Sequence, residues 1–168
     1  MTIDVKRRPA ASDILFHDFE PRSESFGEAF LAGMRADEKA IPCRFLYDAR
    51  GSRLFDEICA LPEYYPTRTE TKILKARAGE VADLIGPGAA LVELGSGSSV
   101  KTRILLDRMK SAAAYMPIDV SREHLRAAAS EIAADYPKIR VEAICADYSA
   151  PFALPPGEGR KVGFFPGS

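Results

Sequence analysis

Residues Leu91 to Asp107 read LVELGSGSSVKTRILLD, and the character of the chain changes twice within them. A short apolar run ends at Glu93 and Leu94, Gly95 and Gly97 break it, and an amphipathic run opens at Val100. Apolar residues over a strand's length, a glycine turn and then helical periodicity mark the start of a strand-helix unit. Glycines at the turn let the backbone come close to a bound small molecule. Three ligands fit such a turn: a nucleoside triphosphate, a dinucleotide, or a nucleoside with no phosphate.

Downstream the same alternation continues. AAAYMPID (112–119) gives a second strand, and Ser121 is expected to cap the helix in SREHLRAAASEIAADYP. IRVEAICAD (139–147) is a third strand and RKVGFFPGS (160–168) a fourth. Strands separated by amphipathic helices imply right-handed crossovers and a parallel sheet. The expected order is third, second, first, fourth. The fourth strand is then an apolar edge on which Val162, Phe164 and Phe165 lack half their cover, inviting self-association.

Upstream the pattern is helical. Residues 1–20 mix charges with proline and show no periodicity, which predicts extended or poorly ordered chain. In SESFGEAFLAGMRA, Ser23 or Ser25 can cap a helix with Phe26, Phe30, Leu31 and Met34 on one face. Arg44 to Tyr47 reads as extended and Asp48 to Gly51 as a turn. A brief helix follows with Leu54, Phe55, Ile58 and Leu61 on one side, stopped by Pro62. Thr67 and Glu70 have capping-box spacing in front of Ile73, Leu74, Val81, Leu84 and Ile85, a helix that GPG should end. Residues 1–86 are therefore expected to form a helical segment contributing to the site. Residues 87–168 are expected to form the first half of a Rossmann-like α/β domain.

Composition narrows the functional classes. The 168 residues suit one domain, and a formal charge of -1 offers no field for nucleic acid or an anionic membrane. Three cysteines, Cys43, Cys59 and Cys145, are far apart with no paired motif, as in a reduced, cytoplasmic protein. Neither His17 nor His124 has metal-ligand spacing around it, so no metal is expected. No apolar run approaches a membrane span, and MTIDVKRRPA lacks the apolar stretch of a signal peptide.

The glycine turn discriminates among its three ligands. A triphosphate loop needs glycine followed by Lys-Thr, but Val100 stands in that glycine's place before Lys101 and Thr102. Glu93 is also a poor neighbour for a polyphosphate. The dinucleotide pattern fails at the same Val100, although Asp119 is placed to hold ribose hydroxyls. S-adenosylmethionine (SAM), a cationic sulfonium without phosphate, fits better. Glu93 with Gly95 and Gly97, Asp119 and Asp147 end three consecutive strands, gathering carboxylates on the edge where ligands bind in open α/β sheets. Taken singly, Glu93 could instead orient the loop, Asp119 could cap the next helix beside Ser121, and Asp147 could start a turn.

ELGSGSSVKTRILLD, YMPIDVS, VEAICADY and the upstream FLYDARGSRLFDEICALPEYYPTRTE resemble the ergothioneine-pathway histidine N-alpha-methyltransferases. That family has fungal relatives acting on a tryptophan-derived amine. The resemblance covers about residues 44–168. It implies a class I methyltransferase core, with Gly95, Lys101, Asp119, Asp147 and Tyr148 contacting SAM; Tyr148 stands where phenylalanine is common. It also implies that Tyr64 contacts the amino-acid substrate, with Tyr47 nearby, and that methyl groups pass to the α-amino nitrogen of histidine. Tyr64 is the candidate to assist loss of the amine proton through its hydroxyl or a water. Read without the resemblance, Tyr47, Tyr64 and Tyr65 are ordinary packing residues, and Lys101 is a first-turn helix residue pointing to water. Arg44, Arg50, Arg53 and Arg68 read mostly as surface residues, with Arg68 or Thr67 also candidates to position the loop. In the family the chain continues past the position of Ser168 into further strands and substrate residues, so a truncated, weakly binding portion without turnover is expected. Two alternatives stay open: a nicotinamide-dependent oxidoreductase, and a non-catalytic module that needs a partner chain to complete its sheet.

Overall fold

A computed structural model describes residues 14–19, 25–149, 151–157 and 159–167. Five strands form one sheet: β1 (Leu15–Asp18), β2 (Ala90–Leu94), β3 (Ala114–Asp119), β4 (Arg140–Cys145) and β5 (Lys161–Phe164). Their order is β1-β4-β3-β2-β5, and every neighbouring pair is parallel. The helices are α1 (Phe26–Arg35), α2 (Ala49–Ala60), α3 (Tyr65–Ile85), α4 (Val100–Leu106) and α5 (Arg122–Asp135). The expected α/β architecture and the order of the last four strands are present, with β5 at one edge.

Strand alternation divides the sheet's side chains between two faces. Leu91, Tyr115, Val141, Ala143 and Cys145 point to one face, where Ala82 and Ile85 of α3, Leu105 and Leu106 of α4, and Leu125 and Ile132 of α5 cover them. Ala90, Val92, Ala114, Met116, Ile118 and Ile144 point to the other, packed by Phe152 and Leu154 from the chain after β4. Both faces being apolar explains why these strands read as continuous apolar runs rather than alternating ones. No helix among the described residues is long and apolar enough to cross a membrane.

Several local expectations change. Within the stretch read as extended or poorly ordered, Leu15–Asp18 forms β1, whose register runs from Leu15 opposite Glu142 to Asp18 opposite Cys145. Four residues have too little pattern to announce a strand, and β4 supplies the order. Residues 1–13 and 20–24 lie outside the described residues, Ser23 among them. Ser25 caps α1 in a reciprocal box with Glu28. Arg44 to Tyr47 is not extended: Cys43–Leu46 makes a 3-10 turn after Pro42, closed by Phe45 N–H to Pro42 C=O at 3.2 Å. Asp48 then caps α2 by accepting from Gly51 N–H at 2.7 Å.

Thr67 and Glu70 are not a cap either. The helix starts three residues earlier, with Tyr64 at its N-cap and Pro66 in its first turn. Proline fits there because its missing N–H would have had no helical partner. Ser121 sits at the N-cap of α5 but makes no side-chain cap; Asp119 accepts its N–H instead, at 2.9 Å. The apolar sides of α1 and α2 lie largely open: Phe26, Leu31, Leu54, Ile58 and Leu61 are exposed among the described residues.

Candidate cofactor and substrate site

The carboxyl ends of β2, β3 and β4 meet at one edge because the strands are parallel and in register. Glu93 lies opposite Pro117, and Asp119 opposite Cys145. The loop from β2 to α4 folds back over this edge. Gly95 and Ser96 N–H both donate to Ile118 C=O, at 2.9 and 3.1 Å. Gly95 and Gly97 have φ of 67° and 48°, values a side chain rarely adopts. Gly95 is needed for its torsion; a Cβ here would also stand 3.1 Å from the Tyr148 hydroxyl, which would have to yield by a few tenths of an ångström.

Asp119 organises the edge. Its Oδ2 accepts Gly97 N–H at 3.1 Å and its Oδ1 accepts Ser121 N–H at 2.9 Å. One carboxylate thus ties the glycine loop to the start of α5. Asp147 accepts Ser149 Oγ–H at 2.6 Å and Ser149 N–H at 2.9 Å through one oxygen. The serine hydroxyl, then its amide, holds this carboxyl below the usual range. Lys101 does not point to water: its Nζ pairs with Glu70 Oε2 at 2.6 Å, and its side chain is mostly buried. Glu70 Oε1 accepts Gly167 N–H at 2.6 Å, so α3 joins α4 to the segment after β5.

Glu93 lies beneath the loop, enclosed at 1% exposure, and accepts a hydrogen bond from the Tyr115 hydroxyl. Burial pushes its pKa up to about 7, opposed by the Thr102 and Tyr115 hydroxyls and by the Lys101 charge. Ser96 Oγ, buried in the same loop, has no hydrogen-bond partner among the described residues.

Across the edge stands an aromatic row. Tyr47 and Phe55 meet edge to face with centroids 5.9 Å apart, and Phe55 and Tyr64 do the same at 5.9 Å. Burial raises the Tyr47 phenol above its ordinary pKa, and Cys43, Tyr64 and Asp119 add to that rise. Tyr148, packed on Phe165 at 6.2 Å, is raised by burial and then by Asp119, Cys43, Tyr47 and Asp147. Each of Tyr47, Tyr64, Asp119, Asp147 and Tyr148 thus lies within electrostatic range of at least one other of the five. Sequence reasoning missed Phe55 as the link of the row, because it was one of four apolar residues on its helix. It missed Glu70 as the partner of Lys101, because its spacing from Thr67 imitated a cap.

A sequence profile described as "Histidine-specific methyltransferase, SAM-dependent" matches residues 26–168. The chain belongs to this family. It is 46% identical over 149 residues to the histidine N-alpha-methyltransferase of Mycolicibacterium smegmatis, covering 87% of this chain and 46% of that protein. It is 42% identical over 140 residues to the histidine N-alpha-methyltransferase of Mycobacterium tuberculosis, covering 82% and 43%. It is 39% identical over 97 residues to ergothioneine biosynthesis protein 1 of Neurospora crassa, covering 56% and 11%. The chain thus spans less than half the length of these relatives. The donor set suits the family's cofactor: carboxylates and a positive-φ glycine turn at the edge, with one buried loop hydroxyl, that of Ser96, lacking a partner among the described residues.

Proposed function

We propose that this chain supplies the cofactor site and one wall of the substrate site of a SAM-dependent N-methyltransferase acting on the α-amino group of L-histidine. The observation that supports it is the convergence of Asp119 and Tyr148 at the sheet edge with Tyr47 and Tyr64 of the helical segment. In this reading residues 1–86 bring the aromatic wall and residues 87–168 the cofactor edge. Asp119 takes the ribose hydroxyls and Asp147 the adenine amino group. Gly95 and Gly97 allow close approach, Lys101 meets the cofactor's carboxylate while Glu70 holds it in place, and Tyr148 packs against the nucleoside.

SAM when bound supplies an electrophilic methyl group on a sulfonium. The protein's own task is alignment, since holding nucleophile and methyl in line removes most of the orientational cost of the reaction. The Tyr47–Phe55–Tyr64 row offers ring faces and edges to a cation, which suits both the sulfonium and a methylated ammonium product. Tyr64 borders the amine and assists loss of its proton through its hydroxyl or an intervening water. The raised Tyr47 phenol stays protonated at neutral pH and acts as a hydrogen-bond donor.

The test is calorimetric titration with SAM, followed by mass spectrometry of histidine incubated with SAM and the chain joined to the remaining half of a relative. Stepwise methylation of histidine, exceeding that of tryptophan-derived amines, is expected. Binding of NADH without SAM binding would replace this reading with an oxidoreductase.

A further inference from the structure

Ser99 has φ 55° and ψ 20°, and among the described residues it is the one non-glycine with positive φ. That conformation costs an L-residue about 1–2 kcal/mol, so something nearby must hold it. Ser99 occupies the N-cap position of α4, yet its hydroxyl makes no capping bond, unlike Ser25 on α1. It turns inward instead and lies 2.9 Å from the Tyr115 hydroxyl. Tyr115 in turn donates to Glu93. With its proton committed to the carboxyl, the phenol oxygen accepts from Ser99, so the chain runs Ser99 to Tyr115 to Glu93. All three are enclosed, at 2%, 0% and 1% exposure.

The register explains the geometry. Leu91 lies opposite Tyr115 and Glu93 opposite Pro117, so Glu93 and Tyr115 are diagonal neighbours on the same face. The phenol ring fills core space that phenylalanine could fill equally well, packed with Leu91 and Leu105. Its hydroxyl is the part with a directed partner at each side. Ser99 is also where the loop closes: its N–H donates to Ser96 C=O at 2.9 Å and its C=O accepts Arg103 N–H at 3.3 Å. Rotating Ser99 out of the left-handed region would re-aim α4 and carry Lys101 with it.

We propose that Tyr115 is a positioning residue for the cofactor loop, holding Ser99 left-handed through the Ser99–Tyr115–Glu93 relay and so fixing where Gly95, Gly97 and Lys101 are presented. Burial, then the neighbouring Glu93, keep the phenol far above its ordinary pKa, so it remains a donor throughout the working pH range. The cofactor part of this inference rests on the SAM reading of the edge; the loop part does not.

The experiment separates the two. Hydrogen exchange of the segment 92–103, measured without ligand, reports the loop, and calorimetry reports SAM affinity. Tyr115→Phe and Ser99→Ala should each speed loop exchange about tenfold and weaken SAM binding about tenfold. Ser99→Gly adopts positive φ without strain and should lose much less than Ser99→Ala despite lacking the hydroxyl. In the double variant Tyr115→Phe with Ser99→Gly, glycine needs no hydroxyl to hold it at positive φ, so removing the phenol hydroxyl should add little to the loop exchange of Ser99→Gly alone. Independent, additive losses would overturn the relay, as would unchanged exchange in Tyr115→Phe. Should Tyr115→Phe fail to fold, Ser99→Ala against Ser99→Gly carries the test. If the unaltered chain does not bind SAM, the cofactor reading fails, and the exchange arm still decides the relay.

Discussion

Around the glycine loop, named polar groups are tied into the fold at both ends. Asp119 spans two backbone amides, Ser99 reaches Glu93 through Tyr115, and Lys101 is paired with Glu70. Across the same space the aromatic row is held by ring packing, with Tyr47 exposed. The difference suits the two binding tasks of the proposed function. A cofactor of constant shape is served by a preorganised loop, because rigid donors and acceptors lose little entropy on binding. A wall facing a cation whose methylation state changes needs contacts that tolerate small displacements, and aromatic contact is less directional than hydrogen bonding.

Gly51 is where the wall is rigid, and substitution there should break the contrast most. A Cβ at Gly51 would lie 1.8 Å from Leu46 C=O, a backbone atom that cannot yield without moving the turn before α2. Gly51→Ala should cost about 3 kcal/mol and displace Phe55 from between Tyr47 and Tyr64. Faster hydrogen exchange in α2, with the 92–103 loop still protected, is the expected signature. Spread of the damage to both regions would mean that wall and loop unfold as one unit.

The loop side carries a pH dependence of similar size. The Glu93 pKa is about 7 in the fold against an ordinary 4.5, so the folded state binds its proton more tightly than the unfolded chain. Its stabilising contribution is complete below 4.5 and is lost as pH rises through 7, a change on the order of 3 kcal/mol. Denaturant unfolding across that range should show stability falling with pH, and Glu93→Gln should flatten the slope. A wild-type profile that stays level would mean Glu93 is ionised throughout.

Asp119→Ala removes the acceptor for Gly97 and Ser121 N–H and should cost about 2 kcal/mol, since bonds to a charged acceptor exceed neutral ones. SAM affinity should fall with it. Asp119→Asn sharpens the point by retaining one acceptor: it should recover part of the stability and little of the affinity. The smallest effect on stability is expected at the wall. Tyr64→Phe keeps the ring against Phe55, so the melting midpoint should shift by less than about 0.5 kcal/mol equivalent, while histidine affinity or turnover falls. Unchanged binding and turnover would remove the Tyr64 hydroxyl from the site.

The alternation of apolar runs, amphipathic helices and glycine turns from Ala90 to Phe164 was legible because each signal is local. The strand ends fell within two residues of the expected places, except at the fourth strand, which stops at Phe164, before Phe165, Pro166 and Gly167. Upstream, local signals misled where two devices share one spacing. Thr67 and Glu70 are three apart, as in a cap, but Pro66 fits the first turn and moves the helix start to Tyr65. Arg44 to Tyr47 has extended-looking side chains, yet the bonds following Pro42 close a 3-10 turn. β1 carried no signal of its own, since its order comes from β4 more than a hundred residues away.

The sequence by itself determined the class of sheet, the convergence of carboxylates at its edge and the family to which the chain belongs. These follow from periodicity and from motifs read residue by residue. Only the tertiary structure decided what each acid does. Asp119 holds two amides, Asp147 is engaged by Ser149, Glu70 pairs with Lys101, and Glu93 is sealed under the loop against Tyr115. Residues 22 and 31 positions apart meet in these contacts because strand register and helix packing bring them together, and neither is written in any local stretch.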